Sequence, residues 1–254
     1  MSANERVQVA VQGGVLTATL NRPDKKNAID TPMIDALLAL LERADLDAEV
    51  RVVALQGAGV DFCAGMDLHE LLASADKTVT ENREAALHFG EIFVRLRQLP
   101  KPVVALVRGR ALAGGCGLAT ACDLVLAAES AQFGYPEVQR GFVPALVMNL
   151  LKRSVGEKIA FDLAATGHVL TATEAAAVGL VSRVYEDADF EEQAADLLRT
   201  LTTISASALA LTKQLLYRLE GVPLAEGIRL SADVNAISRT TPDFRSALQA
   251  FLKK

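Results

Sequence analysis

The chain has 254 residues, of which 51% are hydrophobic and 22% charged, a composition typical of a globular protein with one large domain or two small ones. Its net charge of −5 argues against nucleic acid as a partner, because phosphate binding requires an excess of Lys and Arg. Neither a secretory signal nor a membrane span is expected, since no basic region precedes an apolar one at the start and the longest apolar stretch, residues 142–151, is too short.

The chain begins with a predicted β-hairpin followed by a helix. Residues Val7–Gln12 and Val15–Leu20 alternate apolar and polar side chains on either side of a Gly-Gly pair, the pattern of two strands joined by a tight turn. Thr31 and Pro32 then begin a helix, with proline at its start, where a missing N–H is tolerated.

The next feature, an apolar strand that leads through a glycine-containing loop into a helix, occurs twice. The first unit has a strand at residues 52–56, a loop at 57–67 and a short helix from residue 68. The second has a strand at residues 102–107, a loop at 108–115 and a helix at 116–122. A further strand follows at residues 124–127. Strands that alternate with helices predict a largely parallel sheet, whose ligands bind at the carboxyl ends of the strands.

The remaining segments are mostly helical. The polar stretch at residues 74–80 is interpreted as a mobile connection, and Thr171 with Glu174 forms a predicted capping box for a helix that Gly179 ends. Helices are predicted at residues 190–201, 206–219, 224–237 and 244–252. An α/β core with a helical C-terminal extension therefore fits the pattern best.

The two glycine loops are the first candidates for a functional site. Each junction between strand and helix places unpaired backbone N–H groups at a helix N-terminus, where the helix dipole favours negative charge. Two such junctions could converge on one oxygen and form an oxyanion hole, or both loops could be ordinary tight turns. Neither loop matches a phosphate-binding or dinucleotide-binding fingerprint.

Cysteine and histidine contribute little to the predicted chemistry. Cys63, Cys116 and Cys122 are odd in number and lack metal-ligand spacing, so we expect a reduced, cytoplasmic setting and no metal. The three histidines form no paired motif.

Five segments, in matching order and spacing, carry a family resemblance that covers nearly the whole chain. They are NRPDKKNAID (residues 21–30), DFCAGMDLHEL (61–71), KPVVALVRGRALAGGCGLATACDLVLA (101–127), AQFGYPEVQRGFVP (131–144) and LTATEAAAVGLVSRV (170–184). Together they resemble the enoyl-CoA hydratase/isomerase, or crotonase, family. The resemblance implies an α/β spiral of ββα units, residues 1–190, and a helical trimerisation region, residues 191–254, in one functional unit assembled as a homotrimer or a dimer of trimers.

The resemblance also implies the site residues. The oxyanion donors would be the backbone N–H groups of Met66 and Gly114, and the substrate an acyl-CoA thioester that requires no separate cofactor. The positions that correspond to coenzyme A binding are Arg22, Lys25, Ala28, Ala64, Asp67 and Leu68.

The implied catalytic carboxylate is Glu137, in the segment Tyr-Pro-Glu. Hydratases of the best-known type have a second glutamate, but this chain has Gly117 at that position. Burial among apolar side chains would raise the pKa of Glu137 toward working pH, and Phe133, Tyr135, Phe142 and Val143 are candidates to line such a pocket. Glycine inside a helix costs about 0.5–1 kcal/mol, so Gly117 serves either close packing against the sheet or acyl chain, or room for a bulky acyl group.

The pattern leaves the reaction open. One glutamate suits double-bond isomerisation, as in family isomerases that lack the other acid, whereas hydration ordinarily uses two groups. Methylglutaconyl-CoA hydratase-like members also carry glycine at the first position, and a non-catalytic acyl-CoA-binding member is a third alternative. Gln139, Arg140, His69 and His88 are candidates for a second polar group. An RNA-binding role is disfavoured by the negative charge.

Overall fold

The computed structural model describes residues 6–253; residues 1–5, on which the expectation of no secretory signal largely rests, and Lys254 lie outside them. In the described part of the chain, the strands are β1 (Val7–Gln12), β2 (Val15–Leu20), β3 (Val52–Gly57), β4 (Val103–Val107), β5 (Arg110–Leu112), β6 (Leu124–Ala128), β7 (Gln132–Gly134), β8 (Val169–Thr171) and β9 (Arg183–Tyr185). The α-helices there are α1 (Thr31–Leu46), α2 (Leu68–Ala73), α3 (Val79–Gln98), α4 (Gly114–Ala121), α5 (Ala145–Val155), α6 (Glu157–Thr166), α7 (Ala172–Ala177), α8 (Phe190–Thr203), α9 (Ala206–Arg218), α10 (Leu224–Ser238) and α11 (Pro242–Leu252).

The larger sheet has the strand order β1-β2-β3-β4-β6-β9, and every pairing except the β1–β2 hairpin is parallel. Its central strands are buried on both faces, as expected for strands covered by helices on each side. In β4 the side chains of Val103, Ala105 and Val107 belong to the larger core, which includes α1, α3 and α4. Val104 and Leu106 point the other way, into a smaller core with α8.

A second, three-stranded sheet was not predicted from the sequence. Strand β7 lies between β5, to which it is parallel, and β8, to which it is antiparallel. Each of these strands has three residues, too few for an alternating pattern to be recognised. This sheet holds the second glycine loop in place, because β5 is part of that loop.

The stretch interpreted as a mobile connection is a structured turn. Residues Ser74–Asp76 form a 3₁₀ helix, and Thr78 begins α3 through a capping box with Glu81. The amide of Asn82 donates a hydrogen bond of 3.0 Å back to the carbonyl of Ser74. The polar residues therefore satisfy backbone groups at a helix start.

The C-terminal region is helical, as predicted, from α8 to α11. Lys213 anchors α9 to the core, since its Nζ atom is buried and donates hydrogen bonds to the carbonyls of Leu96 and Lys101 and to Asp123. Several large apolar side chains of α10 and α11 remain exposed in the single chain, among them Ile228 and Phe251. Within residues 6–253, no helix is both long and apolar enough to cross a membrane.

Candidate active site

The two glycine loops are joined by a short parallel backbone ladder. The N–H of Cys63 donates to the carbonyl of Arg110 and the N–H of Leu112 donates to the carbonyl of Cys63, each at 2.9 Å. Cys63 and Ala111 form the corresponding isolated bridge. Loops that are far apart in sequence are thereby fixed in one register.

A buried carboxylate adds a second connection between these loops. Asp61 accepts hydrogen bonds from Nε and Nη2 of Arg110, at 2.7 and 2.8 Å, and from the Arg110 backbone N–H at 3.0 Å. Burial alone would raise the pKa of Asp61, but the hydrogen bonds and charge of Arg110 outweigh it and hold the pKa below its usual value.

The predicted oxyanion donors, Met66 and Gly114, lie beside each other. A Cβ atom placed on Gly65, whose φ is 99°, would be 3.4 Å from the backbone nitrogen of Gly114, and one placed on Gly114 would be 3.9 Å from Cγ of Met66. Neither the Met66 N–H nor the Gly114 N–H donates a hydrogen bond within the described residues. Residues with two unpaired backbone N–H groups thus lie close together at the N-terminus of α4.

The close approach of the two glycine loops depends on the absence of a side chain at Gly115. A Cβ atom there would lie 2.3 Å from the carbonyl oxygen of Cys63, in the other loop. Ala113, the residue immediately before α4, has the strained values φ 51° and ψ −128°, held by hydrogen bonds to Gly134 and from Gly117. The fold therefore supports an unusual backbone conformation where the donors are presented.

The side chain of Glu137 is buried without a hydrogen-bonding partner at one oxygen. It lies in a 3₁₀ turn, Pro136–Arg140, and only 8% of the residue is exposed. Within the described residues its Oε2 atom is buried and unpaired. Burial is the largest influence on this carboxyl and raises its pKa above the usual value, although its own backbone N–H and Arg140 oppose the shift.

Tyr135 connects the turn of Glu137 to the helix that bears Gly114. Its hydroxyl lies 2.9 Å from Oγ1 of Thr120, which in turn donates to the carbonyl of Cys116 in α4. Tyr135 and Phe133 are fully buried, whereas Phe142 and Val143, also candidates for the pocket lining, are exposed in the single chain.

Gly117 is explained by close packing. A Cβ atom at this position would lie 2.2 Å from Cγ1 and 3.1 Å from Cβ of Val147, and 3.4 Å from Cζ of Phe93. Gly117 therefore packs against α5 and α3, not against the sheet, and the space is filled. The alternative interpretation, that Gly117 leaves room for a bulky acyl group, is wrong for this arrangement.

The two segments that correspond to coenzyme A binding lie next to each other. The guanidinium of Arg22 donates to the Ala28 carbonyl at 2.7 Å and to the Asp67 carboxylate at 2.8 Å, and Ile29 bridges to Met66. Burial alone would raise the pKa of Asp67, but the hydrogen bond from Arg22 holds it below the usual value. Arg22 thus joins the two segments, and its charge is already balanced.

The other positions of this group differ in exposure. Lys25 and Leu68 are exposed, whereas Ala64 is partly buried and its N–H donates to the carbonyl of Lys26. The sequence did not indicate Asn27, a buried amide that accepts from the Arg22 N–H and donates to the carbonyls of Ala58 and Asp61. Asn27 has a left-handed φ of 54°, but no pattern in a single sequence indicates such a conformation.

The candidates for a second polar group have other partners or face solvent. Gln139 donates from Nε2 to the carbonyls of Thr166 and Gly167, each at 3.3 Å. His88 lies 2.8 Å from Asp35 on the surface, and His69 and Arg140 are exposed. None of them is brought to Oε2 of Glu137.

Phe89, which sequence reasoning missed, packs over Gly114. Its ring atoms lie 3.1 and 3.2 Å from the position of a Cβ atom on Gly114, and the ring packs edge-on against Phe93 at 4.9 Å. The spacing of two Phe residues four apart on a helix was a signal for one shared apolar face.

The three cysteines are buried and unpaired, and in the described residues no group of His, Cys, Asp and Glu is arranged to hold a metal ion. Burial raises the pKa of the Cys63 thiol to about 12 and that of Cys116 to about 11.

Comparison with known proteins gives one consistent result. Residues 10–254 match the family model described as enoyl-CoA hydratase/isomerase. A Thermus thermophilus protein whose name assigns it provisionally to the enoyl-CoA hydratases is 42% identical, over 96% of both chains. The 1,2-epoxyphenylacetyl-CoA isomerase of Escherichia coli is 33% identical over 96% of this chain and 94% of its own. A solved enoyl-CoA hydratase of Mycobacterium smegmatis superposes with a TM-score of 0.93 at 29% identity, over 98% of this chain and 96% of that one.

Proposed function

Since this chain belongs to the enoyl-CoA hydratase/isomerase family, we propose that it is an enzyme that binds the thioester carbonyl of an enoyl-CoA at the N–H groups of Met66 and Gly114 and moves protons with Glu137. One observation carries the proposal. Met66 and Gly114, whose backbone N–H groups are unpaired in the described residues, lie close together at the start of α4. Glu137, whose buried Oε2 has no partner there, directly follows Tyr135, whose hydroxyl contacts Thr120 of the same helix.

The two donors would act on the charge that develops on the thioester oxygen. When a proton leaves the carbon next to the carbonyl, the electrons move to this oxygen and form an enolate. Donors that are already oriented stabilise this charge without reorganisation, and removing one such donor typically costs about 10²–10³-fold in turnover. The rigid ladder between the loops provides that fixed orientation.

Glu137 would carry the proton in a double-bond isomerisation. Its carboxylate removes a proton from C2 of a 3-enoyl thioester, giving a dienolate, and the resulting carboxylic acid returns a proton to C4. The product is the 2-enoyl thioester, and the glutamate regains its starting state. The raised pKa of Glu137 favours both steps, because it brings the carboxyl closer to working pH.

Hydration of a 2-enoyl-CoA is the second candidate, because relatives carry hydratase names. In that reaction the oxygen of water bonds to C3 and a proton is added at C2. The methylglutaconyl-CoA hydratase-like alternative is a branched case of the same addition. A non-catalytic acyl-CoA-binding protein would show neither reaction.

We also propose where coenzyme A binds, how the protein assembles and where it is located in the cell. Coenzyme A, as part of the substrate and not a separate cofactor, would lie along Arg22, Lys25, Ala28, Ala64, Asp67 and Leu68. The exposed apolar side chains of α10 and α11 support assembly as a homotrimer or a dimer of trimers. Three unpaired cysteines support a cytoplasmic location.

The test is Glu137→Gln, which keeps the shape of the side chain and removes its base. We expect turnover of 2-enoyl- and 3-enoyl-CoA, followed by the absorbance of the conjugated thioester, to fall by about 10²–10⁴-fold. Binding of a saturated acyl-CoA should change little. Glu129→Gln is the matched control, because Glu129 is exposed and eight residues away. Full turnover in Glu137→Gln would refute the assignment.

A further inference from the structure

In the first turn of α4, one face has no side chains and is covered by apolar groups from two other helices. Gly114 and Gly117 are three residues apart and therefore share this face, about 4.5 Å apart along the helix axis. Phe89 covers the first glycine, while Phe93 and Val147 cover the second. We name the surface formed by these two glycines the glycine face.

The glycine face lies next to the reacting carbons if the thioester is bound as proposed. With the carbonyl oxygen at the N–H of Gly114, the carbons that follow the carbonyl lie within one helical turn of that residue. This length matches the distance to Gly117. The side chain that fills the space at Gly117 would then border the part of the substrate where bonds change.

Val147 is held firmly in this place. It is 3% exposed and lies near the start of α5, the helix that follows the Glu137 turn in the chain. Its Cγ1 atom is 2.2 Å from the position that a Cβ atom at residue 117 would take. Helix α5 thus supplies the side chain that α4 lacks.

The groups around the glycine face leave little for a water molecule to bind. An ordered water needs two to four polar partners, and a small apolar space remains dry. The side chains of Phe89, Phe93 and Val147 have no hydrogen-bonding atoms, and the two backbone donors would be occupied by the thioester oxygen. Glu137 is then the polar side chain that the proposed function still places at this site.

We propose that Val147 determines the reaction of this enzyme: it occupies the place of a second polar group and keeps water from the acyl site, so that proton transfer through Glu137 prevails over hydration. This inference rests on the proposed function. If Val147 excludes water, the preferred substrate is a 3-enoyl-CoA, which is isomerised, and not a 2-enoyl-CoA, which would have to be hydrated.

The first measurement uses the unaltered protein. We expect kcat/KM for isomerisation of a 3-enoyl-CoA to exceed that for hydration of the matching 2-enoyl-CoA by about 100-fold, the effect of lacking one acid or base. Hydration as fast as isomerisation would overturn the role of Val147 and leave the proposed function standing. Absence of turnover with both substrates would overturn the proposed function itself.

Two variants test whether Val147 is responsible. Val147→Thr keeps the shape and adds one hydroxyl, so the ratio of hydration to isomerisation should rise by about tenfold. Gly117→Glu combined with Val147→Ala gives a carboxylate room, and the ratio should rise by about 100-fold. Val155→Ala, at the far end of α5, adds no polar atom and leaves Val147 in place, so it should leave the ratio within about twofold. An unchanged ratio in folded Val147→Thr overturns the inference, even if the double variant does not fold.

Discussion

Gly115→Ala is the sharpest test of the way in which the two loops form the site. The substitution adds one methyl group at the second residue of α4, a position that contacts no substrate in the proposed arrangement. The added Cβ atom would lie 2.3 Å from the carbonyl oxygen of Cys63 and 2.8 Å from its carbonyl carbon. These are backbone atoms, so no side-chain rotation relieves the contact.

The structure gives the size of the expected effect. An ordinary contact begins at 3.4 Å, so the start of α4 and the Cys63 loop must separate by about 1 Å. This movement pulls the N–H of Gly114 away from that of Met66. A misplacement of about 1 Å costs on the order of 10²-fold in rate. That loss of kcat/KM corresponds to about 2.7 kcal/mol in the barrier.

The assay is steady-state turnover of enoyl-CoA substrates, together with thermal unfolding to show that the variant is folded. Overpacking should also lower the free energy of unfolding by about 1–3 kcal/mol. Gly90→Ala is the matched control, because its Cβ atom would make an ordinary 3.6 Å contact with Leu146 in a regular helix. If folded Gly115→Ala retained full kcat/KM, the spacing of the loops would not set the oxyanion geometry.

Three further predictions concern the supports of the site. Asp61→Asn removes the charged partner of Arg110 and should lower the free energy of unfolding by about 1–3 kcal/mol. Because the pKa of Asp61 is depressed in the folded protein, this difference should be complete above about pH 4 and should vanish as the pH falls through the folded pKa. Urea titrations at several pH values would show it. Tyr135→Phe removes the hydroxyl bond to α4 and should cost about 1 kcal/mol in urea unfolding, with a lower kcat; an unaltered kcat would mean that this bond does not position Glu137. Lys213→Met leaves Asp123 without its buried cation and should destabilise the protein by about 3 kcal/mol, measured by chemical denaturation.

Strong periodic signals in the sequence were sufficient for the large elements. The hairpin of β1 and β2, the capping box of Thr171 and the four C-terminal helices occur where they were predicted, since each has a local physical cause. The sequence left open whether the two glycine loops converge or are ordinary tight turns, and the backbone ladder between Cys63 and residues 110–112 brings them together.

Contacts between distant segments could not be foreseen in this way. Nothing near Gly117 in the sequence indicates that Val147, thirty residues later, fills its space. Arg22 was predicted to lie at the coenzyme A site, and only the fold reveals that its guanidinium already joins Ala28 and Asp67. Such pairings depend on tertiary packing, which has no period in the sequence.

The buried cysteines have a consequence for an enzyme that handles activated thioesters. Cys63 lies three residues before Met66, and Cys116 two residues after Gly114. Only a thiolate attacks a thioester, and burial raises the pKa of these thiols to about 12 and about 11, so at neutral pH both remain protonated. We therefore expect acyl transfer from coenzyme A to these cysteines, and mixed disulfides with the free coenzyme, to be slow, although sulfur lies within a few residues of Met66 and Gly114.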